Sequence, residues 1–137
     1  MLCGLKKVST FAVKDHILKR TILYIEDDHD MKDVVCDIMA YEDYDVITDS
    51  GKAMNKILKD REVGLILMDE ALSWAWGSDL CYELKEREDT KHIPVVMISA
   101  SSEIAEIAKR CGAVGYIQKP FEMYDVIDVV NEYYPKS

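Results

Sequence analysis

From residue 21 onward the sequence alternates short apolar runs with stretches whose apolar residues recur at helical spacing, and it does so five times. Ile22 to Ile25 precedes Met31, Val34, Val35, Ile38 and Met39, which fall at i, i+3, i+4 on one helix face. Val46 and Ile47 precede a helix around Ala53 to Leu58, and Val63 to Met68 precedes Leu80, Cys81 and Leu84. Pro94 to Ile98 leads into Ile104, Ala105, Ile107 and Ala108, and Val114 to Ile117 leads into Met123, Val126, Ile127, Val130 and Tyr134. Strands as continuously apolar as Leu65-Ile66-Leu67-Met68 suit a parallel sheet covered on both faces. Right-handed crossovers then wind the helices around it, giving a doubly wound α/β domain with helices on both faces.

The punctuation agrees with these boundaries. Asp28 or Asp30 stands where a side chain caps the first helix, Asp49-Ser50-Gly51 breaks the chain before the second, and Gly112 stands where a glycine ends the fourth. Residues 1–20 differ in pattern and charge, with five basic side chains against one acidic, and are read as a basic N-terminal arm ahead of a domain over 21–137. The net charge of -9 therefore understates how acidic that domain is. An acidic body repels a phosphate backbone, so direct nucleic-acid binding is not expected, whereas cations and basic partner surfaces are favoured. No run approaches the roughly 18 apolar residues of a membrane span, and the start lacks the apolar core of a signal peptide, so no membrane insertion and a cytoplasmic location are expected. The four cysteines, Cys3, Cys36, Cys81 and Cys111, show neither Cys-x-x-Cys nor Cys/His spacing and are read as reduced thiols on helix faces.

Ligands of open α/β sheets bind beyond the carboxyl ends of the strands, where the strand order reverses. There the first run ends in Glu26-Asp27-Asp28, the third in Asp69-Glu70, the fourth in Ser99-Ala100, and the fifth is followed by Lys119-Pro120. In a sheet ordered 2-1-3-4-5, the acidic ends of the first and third strands share one pocket. Two carboxylates about 4 Å apart repel by roughly 4 kcal/mol at an effective dielectric near 20, a cost that a divalent cation turns into attraction. Magnesium suits such a pocket, because it takes oxygen ligands, keeps several waters and needs only one or two carboxylates beside a phosphate oxygen. A carboxylate screened in this way can attack a phosphoryl donor, with a hydroxyl from Ser99 and the ammonium of Lys119 on the transferred oxygens.

These pieces resemble the receiver domain of two-component response regulators of the chemotaxis-receiver kind. They are Ile22 to Asp28, Leu65 to Asp69 with Gly77 eight residues on, Ile93 to Ala100 and Gly115 to Phe121. The resemblance implies a flavodoxin-like, five-stranded parallel sheet in the order 2-1-3-4-5. It implies Asp69 as phosphoacceptor and Asp27 as direct metal ligand, with Glu26 acting largely through water and the carbonyl of Ala71 completing the set around Mg2+. It also implies Ser99 and Lys119 as phosphate contacts, Tyr116 as the aromatic that turns inward when Ser99 moves toward the phosphate, and a cis bond before Pro120. The implied partners are a sensor histidine kinase or phosphotransfer protein and a downstream target protein met by the face near Tyr116 and the last helix, while dimerisation stays open.

The sequence departs from the family between Asp69 and Gly77. Ser73 stands where a proline is usual, and Trp76 where an aspartate often precedes the glycine. Trp74 and Trp76 are read as loop residues partly covered by neighbours, or as an apolar contact for a partner. Each site residue alone has a plainer explanation, as a helix cap for Asp27 and Asp28, a turn for Asp69 and a solvated lysine for Lys119. Two alternatives stand beside the switch. One is a degenerate receiver used as a phosphorylation-independent interaction module. The other is an aspartate-nucleophile phosphatase, for which Asp28 and Asp30 have the spacing but lack the strand-end position.

Overall fold

The computed structural model describes residues 20–135 together with the backbone of residues 2 and 3. The elements run β1 (Leu2–Cys3), β2 (Thr21–Ile25), α1 (His29–Tyr41), β3 (Asp45–Asp49), α2 (Met54–Asp60), β4 (Leu65–Asp69), α3 (Gly77–Glu86), β5 (Val95–Ser99), α4 (Ile104–Cys111), β6 (Gly115–Gln118) and α5 (Met123–Tyr133). Five strands pair in parallel in the order β3-β2-β4-β5-β6, which is the 2-1-3-4-5 order of a flavodoxin-like sheet. Beyond the expected five, β1 adds an antiparallel edge beside β3, with Leu2 opposite Ile47 and Cys3 opposite Val46. Residue 1 and residues 4–19 of the basic arm lie outside the described residues.

Side chains alternate across the sheet, so each apolar strand feeds two cores. Leu23, Ile25, Ile66, Met68, Val95 and Met97 face α2, α3 and α4 through residues such as Met54, Leu80, Leu84 and Ile104. Ile22, Tyr24, Leu65, Leu67, Val96 and Ile98 face α1 and α5 through Val35, Met39, Val126 and Val130. This double burial explains why the central strands read as unbroken apolar runs.

Helix ends follow from local chemistry. Asp28 caps α1, its Oδ1 accepting from the Met31 N–H at 3.0 Å. Asp49 Oδ2 accepts from the N–H groups of Gly51 and Ala53 at 2.7 and 2.9 Å, which ties the turn before α2. Ala53, expected inside that helix, is its N-cap instead, because the turn holds its N–H. Gly112 ends α4 at φ 85°, a left-handed conformation that glycine adopts without a Cβ penalty. Cys36 is disulfide-bonded to a partner outside the described side chains, which corrects the expectation of four reduced thiols. Its pairing is made by the fold and leaves no spacing in the sequence. Cys81 and Cys111 are free and buried. Among the described residues, no helix is long and apolar enough to cross a membrane.

Candidate phosphoryl-acceptor site

Parallel register carries the acids together. Ile25 pairs with Met68 across β2 and β4, so Glu26 and Asp69 are the next residues on adjacent strands. Both are buried, at 1% and 3% exposure, and both face the ammonium of Lys119. Lys119 Nζ donates to Asp69 Oδ1 at 2.7 Å and to Glu26 Oε1 at 3.4 Å. The Tyr24 hydroxyl donates to the same Glu26 oxygen at 3.2 Å. Lys119 is delivered by its own backbone, whose N–H donates to Ser99 O at 2.8 Å just before the cis Lys119–Pro120 bond.

Electrostatics follows from this crowding. Burial, and then the charge of Asp69, push the Glu26 carboxyl up to about 7, against the hydrogen bonds from Lys119 and Tyr24. Burial opposes the charge on Lys119, yet the two carboxylates hold its pKa above the ordinary lysine value. Burial and the neighbouring carboxylates raise the Tyr24 hydroxyl far out of its usual range, so it remains a donor.

Asp27 lies at the rim and is held from the opposite side. Its Oδ2 accepts from the backbone N–H of Ser73 at 2.6 Å, and that bond keeps its carboxyl below the usual aspartate range. A proline at 73 would have no N–H to give, so the departure from the family pattern creates this clasp. Trp74 extends it, donating from Nε1 to Ser50 O at 2.9 Å. Ala71 bridges to Trp76 across the same loop. Gly77 is required where α3 begins, because a Cβ there would lie 2.0 Å from the carbonyl oxygen of Asp69.

Sequence reasoning missed Glu70. It is buried, and its carboxylate accepts from Ser78 N–H at 2.7 Å and Ser78 Oγ at 3.0 Å, closing the start of α3 from eight residues away. The missing signal is the distance, since local capping patterns span three residues. Of the remaining expected residues, Ser99 is buried with its Oγ accepting from Ser101 N–H at 3.0 Å. Tyr116 points outward and is 45% exposed. Asp28 is a solvent-facing cap, and Asp30 follows it on the exposed first turn of α1.

A cavity of about 800 Å³ opens over Asp69, Ala71, Ser99 and Lys119 and runs on past Trp76, Tyr82 and Cys111 between α3 and α4. Among the described residues, no group of three His, Cys, Asp or Glu side chains forms a metal cage. Two buried carboxylates sharing one ammonium, with a third at the rim, still fit an ion that keeps most of its own water.

The chain matches the response regulator receiver domain family over residues 22–131, and it belongs to that family. It is 32% identical over 115 residues to the two-component response regulator ORR3 of Oryza sativa, covering 80% of this chain and 87% of that protein. It is 31% identical over 108 residues to histidine kinase P4 of Formosa agariphila, where the match covers 77% of this chain but only 8% of the kinase. Among solved structures it resembles the receiver domain of the sensor histidine kinase PA1611 from Pseudomonas aeruginosa, which has magnesium coordinated in its active-site cleft. That likeness has a TM-score of 0.76 at 20% identity and covers 84% of this chain and 97% of the other. As a receiver domain of two-component systems, the chain serves phosphorylation-dependent signalling.

Proposed function

We propose that this chain is a switch that accepts a phosphoryl group on Asp69 from a sensor histidine kinase or phosphotransfer protein and signals by docking to a partner. The observation that carries this reading is the pair formed by Asp69 and Lys119 at 2.7 Å, buried at the end of β4 and opening into a cavity shared with Ser99. Glu26, Asp27, Asp69 and the Ala71 carbonyl are the residues to hold Mg2+. When bound, the ion neutralises the carboxylates and the incoming phosphoryl oxygens.

A carboxylate oxygen of Asp69 attacks phosphorus as the bond to the donor's leaving group breaks, and an acyl phosphate results. Lys119 keeps its charge throughout, its raised pKa favouring the ammonium, and moves from carboxylate to phosphoryl oxygen. The Ser99 hydroxyl, which uses an oxygen lone pair on Ser101 N–H, retains its proton to donate to another. The exposed Tyr116 is the group to turn inward behind Ser99. The acidic residues Glu122, Asp125, Asp128 and Glu132 around α5 favour a basic target surface. The chain thus promotes only its own phosphorylation and dephosphorylation.

One observation favours the second reading, a phosphorylation-independent module: the Ser73 clasp already engages Asp27. The deciding experiment adds Mg2+ and then acetyl phosphate and seeks a labile phosphoryl adduct by mass spectrometry. Wild type is expected to carry it and Asp69→Asn to lack it. Absence of any adduct in the wild type overturns the switch.

A further inference from the structure

Cys81 and Cys111 take no part in the phosphoryl chemistry, yet the fold brings them together beside it. Cys81 sits on the buried stripe of α3 with Leu80 and Leu84, and Cys111 closes the buried stripe of α4 with Ile104 and Ala108. Both are free thiols. The Cys81 Sγ donates to the Cys111 carbonyl oxygen at 3.4 Å, which sets the two residues side by side where α3 packs on α4. Their access differs. Cys81 is fully buried, whereas Cys111 lines the cavity that opens at Asp69, so a small molecule entering it reaches Cys111 first.

We propose that Cys111 is a hydroperoxide-reactive thiol and Cys81 its resolving partner, so that oxidation through the cavity cross-links α3 to α4. The Cys111 sulfur attacks the O–O bond of the peroxide. An S–O bond forms, the O–O bond breaks, and the leaving oxygen takes the thiol proton and departs as water (an alcohol, for an organic peroxide). The sulfur is thereby oxidised to a sulfenic acid. The Cys81 sulfur then attacks it, forming the S–S bond as the S–O bond breaks, and the released hydroxide leaves as water with the Cys81 proton. Two thiols are oxidised by one peroxide, and no other reactant is needed.

The surroundings support the order of events. Against burial, the neighbouring Cys81 thiol draws the Cys111 pKa below the ordinary thiol value, which favours its thiolate. Cys81 is shifted upward by its neighbour Cys111 and by burial. The charged groups acting on the pair are Glu70, which disfavours thiolate, and the Lys85 ammonium, which favours it. A disulfide of roughly 2 Å between these neighbouring residues needs the two packed helices to approach, and the cavity beside Cys111 leaves room for it.

The test treats the whole chain with hydrogen peroxide, without Mg2+ or phosphodonor, and maps unreduced peptides by mass spectrometry. Wild type is expected to give a Cys81–Cys111 linked peptide. Cys81→Ala should instead accumulate a Cys111 sulfenic acid that dimedone captures, and Cys111→Ala should leave Cys81 reduced. Asp69→Asn should cross-link as fast as wild type, which separates this proposal from the phosphoryl reading. In unsubstituted protein, independent of any variant's folding, iodoacetamide should label Cys111 at least about tenfold faster than Cys81. Equal labelling, or peroxide that leaves both thiols reduced while oxidising the unfolded chain, overturns it.

Discussion

The backbone N–H of Ser73 donates to Asp27 Oδ2 at 2.6 Å, joining the loop after β4 to the end of β2. The bond holds Asp27 ionised below the ordinary aspartate range, so the stability it contributes is present above that range and is lost as pH falls through the lowered value. Ser73→Pro, which removes the donor, should return the Asp27 pKa upward toward about 3.9. Ser73→Ala, which keeps the N–H, should retain most of the depression. A carbon-detected NMR titration of the carboxyl carbons without metal reads both, and an unmoved Asp27 in the proline variant would refute the clasp.

Glu26 gives the opposite slope. Its folded pKa is raised to about 7 from 4.5, so the metal-free protein is favoured at low pH and loses stability as pH climbs through that interval. The expected loss is roughly 1 to 3 kcal/mol. Urea unfolding at about pH 5 and pH 8 should show it in wild type and not in Glu26→Gln. Saturating Mg2+ should flatten the wild-type slope as well, because a cation offsets the buried charge.

Gly77→Ala should destabilise the fold and slow phosphoryl acceptance together. The added methyl would fall on the main-chain carbonyl of Asp69 at 2.0 Å, and no side-chain rotation relieves a contact with backbone. Overpacking of this kind costs about 1–3 kcal/mol, readable as a lowered urea midpoint at unchanged slope.

The two tryptophans should separate as reporters. Trp76 lines the cavity with Asp69, whereas Trp74 is tied to Ser50 O on the far side of the loop. Fluorescence changes on adding acetyl phosphate with Mg2+ should therefore vanish in Trp76→Phe and persist in Trp74→Phe. The reverse pattern would place the responsive ring in the clasp.

Much of this is legible in the sequence. Apolar runs such as Leu65 to Met68 announced doubly covered strands, and polar residues at four strand ends announced the pocket, because a parallel sheet aligns its carboxyl ends whatever the loops do. Other features depend on contacts between distant segments. The edge strand Leu2–Cys3, the Cys36 disulfide and the bonds of Asp27 to Ser73 and Glu70 to Ser78 have no periodic or local signature. Trp74 is the partly covered loop residue that the sequence suggests, and its indole spends its N–H on Ser50, a contact with no signature in the sequence. The Asp27 clasp lay closest to prediction, since Ser73 was visible as an anomaly while the use of its N–H was not.

Where Gly77 meets the Asp69 carbonyl, there is no slack for a methyl group, let alone for sliding. The strand ending in Asp69 and the helix after it therefore form one stiff wall of the pocket. On the switch reading proposed above, compliance comes from the side carrying Ser99, Lys119 and Tyr116, and a signal from Asp69 is expected to leave through the β5–β6 edge.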